Sequence, residues 1–158
     1  MTVSRTLLLA CTLAATALVE PAARAAEHIV HLATESVQGR FLFEPPILFA
    51  EPGDTVRFVP DDGMHGVKSI KGMLPEGATP WRGRMGEEVA VKLDQPGVYG
   101  VKCRSGYDIG MVGLVVVGDD PPNFAEAQRV RHPPAAAMAF QAMFAQVGCQ
   151  LHLSTCGN

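Results

Sequence analysis

The sequence lacks several features that would each point to a large class of proteins. It has no excess of positive charge, because 13 Lys and Arg stand against 16 Asp and Glu, so no basic surface for nucleic acid is predicted. It has no apolar run long and uninterrupted enough to cross a membrane comfortably. It also has no Ser/His/Asp order, no paired carboxylates in a defined strand context and no phosphate-binding glycine loop. These absences argue against a nucleic-acid-binding protein, a membrane span and the common enzyme classes.

The N-terminal segment has the order of a targeting signal. Arg5 is followed by the short apolar run "TLLLACTLAATALV", and Ala23–Ala25 reads "ARA", which is a small-x-small cleavage site. We therefore predict a signal peptide over residues 1–25, a mature chain that begins at Ala26, and a periplasmic location. Leu8–Cys11, "LLAC", resembles a lipoprotein cleavage box and leaves a second interpretation open. In either case the protein is exported.

The four cysteines fit an oxidising compartment. Cys11 leaves with the signal peptide, and Cys149 and Cys156 are close enough in the tail to predict a small-loop disulfide. Cys103 is then unpaired. An unpaired thiol in an exported protein is either held by something, such as a metal, or buried and inert, and both interpretations stay open at this point.

The chain divides into a β-like part and a helical part. Residues 26–120 contain short apolar runs separated by the turn sequences "EPGD", "PDDG", "PEG" and "QPG", which predicts an all-β sandwich or small barrel. Residues 121–158 predict a helical appendage with a Cys-containing tail. Asn123 is the predicted cap of a first helix, prolines 133 and 134 interrupt the chain, and Gly148 is the predicted end of a second helix. The predicted strands are "HIVHLAT", "ILFA", "TVRFVP", "HGVKSI", "VAVKL", "GVYGVK" and "GLVVV".

One loop carries the residues with the clearest chemistry. "KCRSGYDIGMVG", Lys102–Gly113, joins two predicted strands and contains Cys103 and Met111, while His65 lies at the mouth of an earlier strand. Blue-copper electron-transfer sites use two imidazoles, one thiolate and a long axial thioether. The second imidazole belongs three residues after the cysteine, and that residue here is Gly106.

The chain resembles the pseudoazurins over about residues 27–147. The segments that carry the resemblance are "FEP", "PGDTVRFVP", "IKGMLPEGA", "PGVYGVKC" and "GMVGLVVVGD", which follow one another in the family's order. The resemblance implies a cupredoxin-like Greek-key β-sandwich with two C-terminal α-helices. It also implies one copper ion that alternates between Cu(I) and Cu(II), and a non-enzymatic role in one-electron transfer. The implied partners are periplasmic redox proteins such as a nitrite reductase or a c-type cytochrome.

The resemblance also assigns roles to individual positions. It implies that His65, Cys103 and Met111 are copper ligands, and that Gly106 stands where the family has its second, solvent-facing histidine. Gly66 stands where the family usually has an asparagine that ties the two ligand loops together. The departures from the family pattern therefore cluster at the metal site.

Several consequences of the missing histidine stay open. Water, an exogenous small ligand, or a side chain such as His132, His152 or Asp108 can fill the position. A soft set of one imidazole and two sulfurs favours Cu(I), which predicts a protein for copper(I) handling or storage without carrier activity. The last alternative is a metal-free β-sandwich that serves as a binding module.

Overall fold

Eight strands form two four-stranded sheets in the residues that the computed structural model describes, 24–36 and 39–153. One sheet has the order β2-β1-β4-β6 and the other β3-β8-β7-β5. Pairs β1–β4 and β3–β8 are parallel, and the remaining neighbours are antiparallel. The strands are β1 (Glu27–Ser36), β2 (Gly39–Glu44), β3 (Ile47–Ala50), β4 (Thr55–Pro60), β5 (Val67–Ser69), β6 (Val89–Lys92), β7 (Gly97–Cys103) and β8 (Val112–Val117).

Two helices follow the last strand, α1 (Phe124–Gln128) and α2 (Pro134–Gln150). The prediction of an all-β sandwich with two C-terminal helices is therefore confirmed. The seven predicted strands are all present, although "HGVKSI" is a strand only over β5. Strand β2 is an addition that the turn and alternation patterns do not reveal, because only Phe43 in it is fully buried and its pairing with β1 makes it a strand.

Strand β8 is buried on both faces, which explains its unbroken apolar sequence. Val115 and Val117 contribute to the core between the two sheets. Leu114 and Val116 point the other way and contribute to a second core under α2. The helices thus cover the outer face of the sheet that contains β8. Strand β8 contributes side chains to both cores.

Helix α2 differs from its predicted extent at its C-terminal end. It begins at Pro134, a position where the missing N–H of proline costs nothing. The prediction that it ends at Gly148 is wrong, because the helix continues to Gln150. Val147 and Gly148 are both buried against the second core, and this packing outweighs the weak helix propensity of a single glycine.

Asn123 precedes α1 as predicted, but its side chain does not cap the helix. Its Oδ1 accepts a hydrogen bond from the N–H of Val98 at 2.7 Å, and its Nδ2 donates to the carbonyl oxygen of Val98 at 2.9 Å. One side chain therefore pairs with both polar backbone groups of a buried residue in β7, and it fixes the start of α1 against that strand.

Some expectations fall on residues outside the described part of the chain. Residues 1–23 of the predicted signal peptide lie outside it, and so does Cys156. Cys149 is engaged in a disulfide. Among the described residues, no helix has the length and apolarity that crossing a membrane requires.

We expect Asn123→Ala to lower the free energy of unfolding by about 1–3 kcal/mol, because it leaves the buried N–H and carbonyl of Val98 without their partner. Urea unfolding followed by circular dichroism measures the change. Asn123→Asp is a second variant, which keeps an acceptor for the N–H but sets a carboxylate oxygen against the Val98 carbonyl, and it should also be less stable than the parent. An Asn123→Ala protein as stable as the parent would contradict this assignment.

Candidate metal centre

The thiol of Cys103 and the imidazole of His65 are in direct contact in the interior. Cys103 ends β7, and the antiparallel pairing of Val67 with Cys103 brings the loop before β5 alongside it. His65 Nδ1 lies 3.4 Å from Cys103 Sγ, and the two residues are 3% and 0% exposed. This separation is shorter than the sum of a metal–nitrogen bond of about 2.0 Å and a metal–thiolate bond of about 2.3 Å. The separation is therefore compatible with one ion bound to both atoms.

Two polar side chains, those of Thr34 and Asp62, contact the other ring nitrogen of His65. Its Nε2 lies 3.0 Å from Thr34 Oγ1 and 3.4 Å from Asp62 Oδ2. The Thr34 hydroxyl donates a hydrogen bond to the same carboxylate oxygen of Asp62. This bond, together with the N–H of Met64, holds the pKa of Asp62 below its ordinary value. An acceptor at Nε2 favours the tautomer that carries its proton there, which leaves the Nδ1 lone pair directed at Cys103.

Thr34 and Asp62 contact the candidate ligand His65, and sequence reasoning missed both of them. Thr34 lies in β1, in the sheet opposite Cys103, and nothing in its neighbourhood along the chain marks it. Asp62 belongs to "PDDG", a pattern that indicates a turn. The only signal was the position of a carboxylate three residues before a candidate histidine ligand.

Met111 is fully buried and packs against Gly106. The main chain closes the loop, because Cys103 N–H donates to the Met111 carbonyl at 3.0 Å and Met111 N–H donates to the Gly106 carbonyl at 2.9 Å. A Cβ atom added at Gly106 would lie 2.8 Å from Met111 Cβ and 3.0 Å from its Sδ. The thioether therefore occupies space that any side chain at position 106 would need.

Gly66 is required by a close approach of two loops. A Cβ atom at this position would lie 2.8 Å from the carbonyl oxygen of Arg84, which is closer than real Cβ atoms come to backbone. The Gly66 carbonyl in turn accepts a hydrogen bond from Arg104 N–H at 2.9 Å. The main chain around Gly66 thus packs tightly between two neighbouring loops.

A serine side chain connects the two loops that carry the candidate ligands. Ser105 Oγ donates to the carbonyl oxygen of Met64 at 3.1 Å and lies 3.3 Å from Cys103 Sγ. The resemblance to the family leads one to expect an asparagine at position 66 for this task. Here the connection comes from the cysteine loop instead.

A pocket of about 350 Å³ opens above the site. Its rim is apolar, since Met64 is 60% exposed and Ile109 is 59% exposed. The Phe41 ring meets the His65 ring edge-on, with centroids 6.5 Å apart. Phe41 has a φ of 54°, which is unusual for a bulky residue. The lining residues are Phe41, Met64, His65, Ser105, Gly106 and Ile109.

The three residues considered as replacement ligands have other positions. His132 Nδ1 is 2.7 Å from the Tyr107 hydroxyl, and burial lowers the pKa of His132. His152 follows α2 and is exposed, and Asp108 is exposed in the loop. Within residues 24–36 and 39–153, no three His, Cys, Asp or Glu side chains come together as a metal-binding group. None of the three therefore completes such a group with His65 and Cys103.

Comparisons with known proteins agree with the fold. The family of copper binding proteins of the plastocyanin/azurin type matches residues 30–118. The pseudoazurin of Paracoccus pantotrophus is 42% identical over 123 residues, which cover 78% of this chain and 85% of that protein. The pseudoazurin of Methylorubrum extorquens is 39% identical over 147 residues, which cover 93% of this chain and 99% of that protein.

Solved structures of two pseudoazurins are similar to this chain in both fold and sequence. The crystal structure of pseudoazurin from Methylobacterium extorquens AM1 has a TM-score of 0.73 and 40% identity, and the match covers 77% of this chain and 98% of that one. Pseudoazurin from Hyphomicrobium denitrificans has a TM-score of 0.72 and 34% identity, over 76% of this chain and 97% of that one.

The sandwich and the buried thiol–imidazole pair define the class as the copper-binding cupredoxins. Within that class, the chain belongs to the pseudoazurin family. Members of this family bind one copper ion and carry electrons.

We expect Asp62→Ala to weaken copper binding by about 10–100-fold, because loss of a residue that orients a metal-binding histidine typically has this effect. Competition with a chromophoric chelator measures the affinity. Asp61→Ala is the matched control, since the Asp61 carboxylate pairs with His31 at 2.7 Å and not with His65. Equal affinities of the two variants would contradict the role given to Asp62.

Proposed function

We propose that this protein is an exported, periplasmic copper-binding electron carrier whose site is built from His65, Cys103 and Met111. The observation that supports it best is the 3.4 Å contact between His65 Nδ1 and Cys103 Sγ, in a buried position and with the imidazole oriented from behind. Copper bound there supplies one-electron exchange between Cu(I) and Cu(II). The targeting signal of the sequence supports export.

In this proposal, Gly106 leaves a coordination position open to the outside. The pocket above it is lined by His65 and Gly106 at its base and by apolar side chains at its rim. Water or a small ligand with one donor atom can enter from this side, and an open position is ordinary in metal sites that exchange ligands. The same apolar rim, with Met64 and Ile109 exposed, gives a redox partner such as a nitrite reductase or c-type cytochrome a surface for docking.

A second candidate function is copper(I) handling or storage. Two sulfur donors and one imidazole suit Cu(I) better than Cu(II). The packing of the Met111 side chain against Gly106 favours this candidate, because it places a thioether where a second imidazole would begin. Such a protein binds Cu(I) tightly and exchanges electrons slowly.

A metal titration separates these functions. We expect copper-loaded protein to show a thiolate-to-copper band that intensifies with added imidazole, because no other described His, Cys, Asp or Glu completes the site. Saturating imidazole should raise the Cu(II) affinity by about tenfold or more. Loss of a residue that merely supports a ligand already changes metal affinity by about 10–100-fold, and an added ligand should matter at least as much. The protein is titrated with Cu(II), with and without imidazole, and separately with Cu(I).

Two variants serve as controls for this titration. Cys103→Ser should abolish the band, and Gly106→His should remove its dependence on imidazole if Met111 moves to make room. Binding of Cu(I) without a Cu(II) band would favour copper handling over electron transfer. No bound copper in either oxidation state would exclude both functions and leave the metal-free module.

A further inference from the structure

At the end of the sandwich where β1 begins, a buried carboxylate holds the predicted first residue of the mature chain. The N–H of Ala26 donates a hydrogen bond to Asp54 Oδ1 at 2.7 Å. The carbonyl of the same residue accepts a hydrogen bond from Thr55 N–H at 2.9 Å. Residue 26 is therefore fixed from both sides at the edge of the β1–β4 pair.

Asp54 is only 5% exposed, and among the described residues its carboxylate bonds to the N–H groups of Ala26 and Glu51 and to the His28 ring. Its second oxygen, Oδ2, lies 2.8 Å from His28 Nε2 and accepts a hydrogen bond from Glu51 N–H at 2.9 Å. These hydrogen bonds, that of Glu51 first, hold the pKa of Asp54 below its ordinary value. The nearby Lys92 ammonium is paired with Asp94 at 2.8 Å. The carboxylate is thus ionised and largely buried, and two of its three hydrogen-bond partners are neutral backbone N–H groups.

The peptide bond before Ala26 is the predicted cleavage point of the signal peptide. Arg24, Ala25 and Ala26 are exposed and precede β1, so the bond lies outside the sheet. Hydrolysis of the Ala25–Ala26 bond consumes one water molecule, leaves a carboxylate on Ala25 and leaves an α-ammonium on Ala26. The neutral donor at 2.7 Å from Asp54 then becomes a cation.

We propose that Asp54 is the binding site for the α-ammonium group of the mature chain, so that removal of the leader after Ala25 creates an ion pair that stabilises the fold. A hydrogen bond between charged groups is shorter and about twice as strong as a neutral one. The geometry is already in place, because the nitrogen that becomes the ammonium is the one that Asp54 accepts from. The inference rests on the proposed export but not on copper.

The first step of the test is to produce the complete chain in a Gram-negative host and to measure the intact mass of the exported protein. We expect a chain that begins at Ala26. A different first residue would overturn the proposal, and a chain that begins with a lipid-modified Cys11 would do so as well.

The second step compares the copper-free mature protein with a version that carries Gly-Ser-Gly-Ser before Ala26, in which residue 26 keeps a neutral amide. At pH 6.5 we expect the unfolding equilibrium constant of the mature protein to be lower by about fivefold to tenfold, as charged hydrogen bonds contribute more than neutral ones. Asp54→Asn should remove this difference. Asp119→Asn is the matched control, because Asp119 is an exposed carboxylate that lines the same 540 Å³ cavity, and it should preserve the difference.

The pH dependence gives a second readout. An α-ammonium beside a carboxylate has a pKa above its ordinary value of about 7.7–8.0. A group with a raised pKa in the folded state contributes stability that is fully present below the unfolded pKa and is lost as pH rises through the folded pKa. The advantage of the mature protein should therefore disappear at alkaline pH. The other ionisable groups around this cavity, which both proteins share, are His28, Glu51, Asp54, Lys92 and Asp119.

If Asp54→Asn does not fold, the pKa of the Ala26 amine in the parent protein, measured by nuclear magnetic resonance, still decides the question. A value about one unit or more above the ordinary range supports the ion pair, and an ordinary value overturns it. Equal stability of the two proteins at pH 6.5 would also overturn it. Loss of copper binding with an intact stability difference would sink the proposed function and leave this inference standing.

Discussion

The pairing of β5 with β7 is the constraint on which the candidate metal centre depends. Because Val67 pairs with Cys103, the residues just before β5 must run beside the end of β7, and His65 reaches the thiol from there. The hydrogen bond from Arg104 N–H to the Gly66 carbonyl extends this pairing past the end of both strands. The 3.4 Å contact between imidazole and thiol is thus set by sheet register rather than by the loops alone.

The two glycines at the site have different physical meanings. Position 66 requires glycine because of nearby main chain, since an added Cβ would clash with the Arg84 carbonyl of a neighbouring loop. Gly106 is opposed by a side chain, since an added Cβ would meet Met111, and a methionine can repack. We infer that position 66 tolerates no side chain without a backbone shift, whereas position 106 is open to exchange between a glycine and a ligand. Of the two departures that the resemblance to the family implies, the glycine at position 106 is therefore the more easily reversed.

A carboxylate fixes a nitrogen at each end of the β1–β4 pair. At one end, Thr34 and Asp62 orient His65 beneath an apolar rim. At the other end, the Asp54 carboxylate accepts hydrogen bonds from the N–H groups of Ala26 and Glu51 and pairs with the His28 ring. In both places a carboxylate fixes a nitrogen, but the first nitrogen belongs to the proposed metal site and the second begins the strand. The same strand, β1, supplies a residue to each.

The sequence by itself determined the sandwich, seven of the eight described strands and the candidate ligands His65, Cys103 and Met111 with Gly106, because alternation, turn residues and ligand spacing are local properties of the chain. The contacts of Thr34 with Asp62 and His65, and that of Ser105 with Met64, were decided by the tertiary structure, since they join segments far apart in sequence. The same holds for Asn123, whose predicted local cap gave way to the backbone of Val98. Gly148 remained in helix α2 for a similar reason, as burial of its neighbourhood outweighs propensity. Local patterns state which residues are available, and only packing decides which of them meet.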